Sequence, residues 1–469
     1  MLAKEDPSTS LRTLFRPKRV AAALTLVVAL VVTALTSARS SAAGNDLIRV
    51  AVLRGRTSIS IASPAGFTIT DLSTGKVIGT AKPGLSWQFA PASAGVAITS
   101  TSGQPVPEPG FFAGPLVLAQ PATATPDQFL TVGGTARYRG TLEVRKESEG
   151  ALALINSLSV ELYVYGVVPR EMPANWPPEA LKAQAVAARS YAIYSKLNSK
   201  STSLGYDLVN TDESQVYGGV NAEDPRATAA VDQTKSQVAL YNGQVIAAYF
   251  HSASGGYTEN SEIVWSFALP YIKGVPDFDQ NSPKFTWQST FTMAQVTAAL
   301  AAKGVNVGNV YRIEHAGQKG VSGRWSSARV TGTNGTADIR SEDLRRALGL
   351  NSTLIEFKPL DAHWDSLSTD LAHGGAVSAI GAGGNVVDTK VGSAYALGID
   401  GSLYRPDQFT VASSQLVPAS VEIDGHGWGH GLGLSQYGAN TLAQQGKSYR
   451  DIIQYYYQGV KVGNWPVAP

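Results

Sequence analysis

From Leu47 to Leu142 the apolar residues come in short alternating runs: "LIRVAVLRG", "SISIAS", "FTITDLSTGKVIGTAKPG" and "AITSTSG". Glycine, proline, serine and threonine break them apart. A period of two buries one face of a strand, and breakers at this spacing mark hairpins and small sheets. Residues 44–145 are therefore read as a small β-rich domain. The stretch carries no cluster of acids, histidines or hydroxyl–base pairs, so its expected role is to pack and to position.

The pattern changes at "VVPREMPANWPPEALKAQAVAARSYAIYS", Val167 to Ser195. Val164, Gly166 and Val168 alternate with Tyr163, Tyr165 and Val167, which predicts a strand ending at Pro169. Pro177 and Pro178 suit the first turn of a helix, where proline loses no hydrogen bond. That helix is expected from about Pro178 to Lys196, with Leu181, Ala185, Ala188 and Ala192 as a close-packing face. Lys182, Arg189 and Lys196 recur every seven residues on another face.

Beyond Asp207 the pattern mixes helices and strands. Asn242-Gly243 between "QVALY" and "QVIAAYF" is a strong hairpin signal. Phe278 to about Trp364 reads as an inserted subdomain with helices at "MAQVTAALAAKG" and "SEDLRRALG", Ser341 serving as an N-cap. A Gly-rich β stretch spans Gly374 to Gln408. The fold class is α+β, with a core in 146–277 and 365–469 and the insertion at 278–364.

Charged residues make up 16% of the 469, and the net charge is +2, which offers no broad electrostatic basis for binding nucleic acid. Cysteine is absent, excluding disulfides, thiolate metal sites and thiol nucleophiles. Arg12, Arg16, Lys18 and Arg19 precede an apolar run from Val20 to Leu35, followed by small residues at Ser41 and Ala43. This predicts a secretory signal within residues 1–43, or, left uncleaved, an anchor. Either one puts the rest of the chain outside the cytoplasmic membrane.

Four stretches carry candidate chemistry. Glu171, flanked by Pro169, Met172, Pro173 and Trp176, is positioned for partial desolvation, which favours a protonated general acid. The plain alternative is a surface glutamate paired with Arg170. In "HGWGHG", His426 and His430 stand four apart, a metal-ligand spacing on a helix. The alternating glycines instead argue for a tight loop with Trp428 as a stacking surface, and only Asp424 or His251 offers a third ligand. "FHSASGGYTENSE" puts His251 beside Ser252 and Ser254 without the strand–turn–helix context of a nucleophile elbow. "DESQVYGG" supplies Gln215 and Tyr217, groups suited to a sugar site and equally to a polar loop.

Taken in order, "YGVVPREMPANWPPEALKAQAVAARSYAIY", "TDESQVYGG", "YFHSASGGYTE", "VTGTNGTADIRSEDLRRALGL" and "GWGHGLGLSQYGA" resemble the SpoIID/LytB domain family, over about Leu47 to Val462. The resemblance implies a SpoIID-like catalytic core that cleaves peptide-stripped peptidoglycan glycan strands between N-acetylmuramic acid and N-acetylglucosamine. It assigns the essential glutamate to Glu171. It places Lys182, Arg189, His251, Ser252, Ser254, Trp428 and His430 at the substrate, and Gln215, Tyr217, Gln436 and Tyr437 are further candidates for substrate binding. Some members hold zinc through cysteines near the histidine equivalent to His251; with no cysteine here, no metal or other cofactor is expected. The region Ser366–Ser420 does not match the family clearly.

One glutamate suffices for the implied lytic reaction, because the muramic acid 6-hydroxyl supplies a tethered nucleophile. A hydrolase would need a second carboxylate, for which Asp212 and Glu213 are the candidates. The alternative activity is that of a non-catalytic glycan-binding activator of a cell-wall amidase. The Glu171 segment, the 251–256 turn and the 425–436 loop are expected to converge on one cleft.

Overall fold

The computed structural model describes residues 47–93, 95–100, 110–198, 205–368, 376–380, 386–390, 396–397, 403–404 and 412–466. The expected signal segment lies outside them. Of the Gly-rich stretch, two short antiparallel pairs are described, Ala376–Ile380 with Val386–Lys390 and Ala396–Leu397 with Leu403–Tyr404. Strands and helices are both abundant, giving a mixed α+β chain. The described residues fall into two compact units, one within Met1–Asn175 and Ala188–Ser236, the other within Trp176–Ala187 and Gln237–Pro469.

In the first unit, strands run through a seven-stranded sheet in the order Leu208–Val209, Leu47–Arg56, Ala151–Ser159, Thr141–Ser148, Leu116–Ala119, Phe67–Asp71, Lys76–Ala81. A six-stranded sheet orders Ala136–Tyr138, Leu130–Val132, Ile59–Ala62, Ser86–Ala92, Gly95–Ser100 and Phe111–Phe112. Alternate residues point inward, as the period of two requires: Phe67, Ile69, Leu116 and Leu118 are buried from one sheet, Ile59, Ile61, Trp87 and Phe89 from the other. Residue 145 falls inside the strand Thr141–Ser148, which pairs with both Leu116–Ala119 and Ala151–Ser159.

The strand expected up to Pro169 is instead a helix, α1 (Val160–Glu171). Ser159 caps it, its hydroxyl accepting the Leu162 N–H at 3.4 Å. Tyr163, Val164, Val167 and Val168 are buried, a helical spacing. The alternation was uninformative because both of its faces are apolar or small, so a period of two and a period of 3.6 fit equally. Pro169 sits in the last turn, close to where the helix ends.

The helix α2 (Pro178–Asn198) begins at the proline, as expected. Ala180, Leu181, Ala185, Ala188 and Ala192 are all buried. Its first ten residues belong to the second unit and the rest to the first. The helix α3 (Pro225–Gln233) is capped by Asp224, which accepts the Arg226 N–H at 2.8 Å.

The second unit opens with the Asn242-Gly243 hairpin, in which Tyr241 faces Gln244. Phe250–His251 pairs in parallel with Leu434–Ser435. The helix α4 (Ser261–Trp265) follows. A three-stranded sheet orders Thr286–Thr292, Ala412–His426 and Leu354–Ser368, and another orders Val310–Lys319, Trp325–Gly332 and Gly335–Arg340. Around them pack α5 (Met293–Ala301), with a Thr292/Gln295 capping box, and α6 (Ser341–Leu348). Ser341 is the first residue of α6 rather than its cap; that place falls to Arg340. Val296, Leu300, Val330 and Leu344 share a core with Val421 and Ile423, so the 278–364 segment completes its interior with the strand that runs into the Gly-rich loop. The chain closes with α7 (Gln436–Gln444), capped by Ser435, and α8 (Tyr449–Tyr456), capped by Ser448. Among the described residues no helix is long and apolar enough to cross a membrane.

Candidate functional site

In the first unit Glu171 ends α1, half-buried, and its Oε1 accepts the Val216 backbone N–H at 2.9 Å. The loop carrying Val216 clasps the same helix. The Gly218 N–H donates to the Gly166 carbonyl at 3.1 Å, and the Tyr163 hydroxyl donates to Gln215 Oε1 at 3.1 Å. The Tyr217 ring lies so close to Gly166 that a Cβ there would come within 2.6 Å of it. Glycine in α1 is therefore what admits the ring. Tyr217 is buried, its hydroxyl donating to Asn156 Oδ1 at 2.8 Å, and burial pushes its phenol well above the ordinary range. Gln215 is buried too, and its Nε2 has no hydrogen-bond partner among the described residues. Asp212 and Glu213, on the same loop, are exposed.

Arg189 is fully buried. Its guanidinium grips Glu161 with two bonds, Nε to Oε1 at 2.9 Å and NH2 to Oε2 at 2.7 Å. Glu161 Oε1 also accepts the Ser236 N–H at 2.9 Å. This forked pair ties α1 to α2 within the first unit.

In the second unit the 251–256 turn and the 425–436 loop are brought together. Ala253 and Trp428 form an antiparallel bridge, with bonds of 2.7 and 3.1 Å, and Tyr437 N–H donates to the Ser252 carbonyl at 3.0 Å. His251 and His430 lie with ring centroids 5.5 Å apart. Both meet the backbone of Leu432, one at its carbonyl and the other at its N–H. His251 Nδ1 is 3.2 Å from the Leu432 carbonyl, so that nitrogen carries the proton; His430 Nδ1 accepts the Leu432 N–H at 2.9 Å and is bare. Burial and then Arg324 depress His251 to about 3, and burial and then His251 depress His430 to about 3. The pair is neutral at ordinary pH.

Ser254 is buried and donates its hydroxyl to Asp277. Trp428 is 49% exposed, while Gln436 is buried at the start of α7. Tyr437 packs edge-on against Trp176, with centroids 4.9 Å apart. Lys182 donates to Glu179 Oε1 at 2.7 Å, and Glu179 Oε2 accepts the Tyr449 N–H at 2.7 Å. Desolvation pushes Glu179 up, but those bonds outweigh it and hold the carboxyl below its ordinary range. His426 is exposed, and its neighbour Asp424 is engaged by Lys358 and, at 2.8 Å, by Gln288.

Sequence reasoning missed the buried charges beneath these loops, Glu259, Asp277, Asp279 and Arg324, and in the first unit the part-buried Glu161 that pairs with Arg189. Their partners are distant in sequence, and the only available signal was the rarity of charge in the chain. A zinc of the kind held by cysteine-bearing members does not fit the donor set. The chain has no cysteine, His251 Nδ1 is turned to a carbonyl, and among the described residues no three His, Asp or Glu are grouped to hold a metal.

These features define a mixed α+β protein whose Glu171 helix, polar loop and Gly-rich loop occur in the order of the sequence motifs. A family model described as Stage II sporulation protein matches residues 148–241. Stage II sporulation protein D of Bacillus subtilis is 31% identical over 323 residues, covering 66% of this chain and 75% of its own. An uncharacterized protein of Brachyspira hyodysenteriae is 31% identical over 315 residues, covering 66% of this chain and 68% of its own. The amidase enhancer of Bacillus subtilis is 32% identical over 322 residues, 64% of this chain but only 40% of its own. The chain belongs to the SpoIID family.

Proposed function

We propose that this chain is a peptidoglycan lytic transglycosylase acting outside the cytoplasmic membrane, with Glu171 as its single acid/base. Membership of the SpoIID family supports a role at the cell wall. The observation that carries the finer reading is the Val216 N–H bond to Glu171. Through it, two motifs 45 residues apart in the chain meet at one carboxyl group, and the rigid clasp of α1 holds that group in place.

In this reaction the Glu171 carboxylic acid gives its proton to the glycosidic oxygen as the bond from muramic acid C1 breaks. The departing N-acetylglucosamine leaves with a free 4-hydroxyl. The muramic acid O6 attacks C1, closing the 1,6-anhydro ring, and its proton passes to the Glu171 carboxylate. No water is consumed and the acid is regenerated. The tethered hydroxyl acts at an effective concentration of ~10⁵ M or more, which removes the need for a second carboxylate to activate water.

Half-exposed Trp428 supplies an aromatic face for a pyranose ring, while Lys182 is engaged by Glu179. Arg189, Gln215 and Tyr217 serve by holding α1 and its loop, since their polar groups are buried within the first unit. Mass spectrometry of peptide-free glycan strands digested by the purified chain tests the reaction type. Products ending in 1,6-anhydro-muramic acid are expected; reducing ends would make the protein a hydrolase and turn attention to Asp212 and Glu213.

The similarity to an amidase enhancer favours a second reading, a glycan-binding activator of a cell-wall amidase. That reading predicts no cleavage by the chain alone and faster amidase turnover in its presence.

A further inference from the structure

Beneath the paired turn and loop of the second unit lies a set of buried charges that the proposed reaction does not use. Arg324, wholly buried, sits in the turn joining the strands Val310–Lys319 and Trp325–Gly332. Its NH2 donates to the Ser254 carbonyl at 2.7 Å, and its NH1 to the Tyr257 carbonyl at 3.2 Å and to Ser322 Oγ at 2.9 Å. Gly431 of the Gly-rich loop lies flat on the guanidinium, where a Cβ would stand 2.6 Å from Cζ. Glu259, also wholly buried, accepts from the Val321 and Ser322 backbones at 3.1 Å each and from the Ser322 hydroxyl at 2.6 Å. Its own N–H donates to the Gly431 carbonyl at 2.8 Å.

Carboxylates hold the opposite side of the turn. Asp279 accepts the Gly255 N–H at 2.7 Å and the Gly256 N–H at 2.9 Å, while Asp277 takes the Ser254 hydroxyl and, at 2.6 Å, that of Tyr456. A cation thus holds the carbonyls of Ser254 and Tyr257, and an anion holds the N–H groups of Gly255 and Gly256. Burying such charges is costly unless each is fully bonded. Here the Arg324 bonds run to the Ser254 and Tyr257 carbonyls, while its buried Nε has no hydrogen-bond partner among the described residues.

We propose that Arg324, braced through Ser322 by Glu259, is a positioning residue: through it the Val310–Gly332 hairpin sets the geometry of both the 251–257 turn and the 427–433 loop. A planar fork can bond two carbonyls at once while lying under Gly431, and a lysine ammonium cannot reproduce that shape. The consequence for glycan binding rests on the reading under Proposed function; the coupling of the loops to the hairpin does not.

Hydrogen-exchange mass spectrometry on the purified chain separates the two. In the wild type, amides of 254–257, 427–433 and 320–324 should exchange at a common slow rate, as one cooperative unit. Loops exchanging far faster than the 320–324 turn would overturn the proposal without any variant. Arg324→Lys should speed exchange in both loops about tenfold or more, leaving Met293–Ala301 and Ser341–Leu348 unchanged. Unaltered loops in that variant would overturn it too. Should Arg324→Lys not fold, Glu259→Gln and the wild-type rates decide. Binding of peptide-free glycan strands by Arg324→Lys should weaken about tenfold; loosened loops with unchanged binding would refute the positioning role. Wild-type chain that exchanges as expected yet binds no glycan would sink the proposed function and leave the coupling standing.

Discussion

Arg189 has no access to solvent and depends on Glu161, which answers it with two bonds. Removing one member of such a pair leaves a buried charge without its counter-charge, at a cost of about 3–5 kcal/mol. Glu161→Gln should therefore lower stability by that order in urea denaturation, and an unchanged midpoint would contradict the assignment. His251 makes a second residue-scale prediction. Unfolded histidine protonates near 6.5, folded His251 near 3, so between these values the unfolded chain holds more protons. Stability from this residue is full above about pH 6.5 and falls as pH drops, by up to about 1.4 kcal/mol per unit. Melting temperature should decline from pH 7 to 5, and His251→Gln should flatten the decline; an equal slope in both would argue against a buried neutral imidazole. None of these partnerships was legible in the sequence. Seven-residue spacing grouped Arg189 with Lys182, yet its partner lies 28 residues away on another helix, and no periodicity rule links the two.

At the scale of elements, the Gly-rich loop is fixed by contacts that side chains would disturb. Gly429 has a φ of +111° and would place a Cβ 2.7 Å from that of His251. Gly446, at φ +83°, would meet nothing within 4 Å. Gly429→Ala should thus cost more than the roughly 1–2 kcal/mol of left-handed backbone strain expected for Gly446→Ala, with differential scanning calorimetry as the check. Equal losses would mean that the His251 contact is not tight. Legibility at this scale followed the strength of the local signals. α2 was readable because two prolines open it and small residues recur along one face. The Asn242-Gly243 hairpin was readable because its turn chemistry is local. α1 was misread because the alternation around Tyr163 has no polar face, so only Ser159 and the burial of Tyr163, Val164, Val167 and Val168 reveal a helix.

For the whole molecule, what the sequence carried best was the family: the motifs from Tyr163 to Ala439 pointed to the SpoIID family, and relatives 31% identical over 66% of the chain bear that out. What it hid was the sharing of elements across segments. Val421 and Ile423 complete the core of the 278–364 stretch, and α2 contributes to both compact units. Such sharing depends on contacts made only after folding, which composition and periodicity do not encode. The expectation that the 251–256 turn meets the 425–436 loop is realised in the second unit, while Glu171 belongs to the first. Under the proposed function, Glu171 performs the proton transfers of glycan cleavage. The most direct measurement compares wild type with Glu171→Gln on peptide-free glycan strands, following cleavage and binding side by side. An amide cannot donate and recover a proton in this way, so cleavage should fall by about 10²–10⁴-fold, the contribution of general acid–base catalysis, while binding persists. Cleavage at the wild-type rate by Glu171→Gln would contradict it.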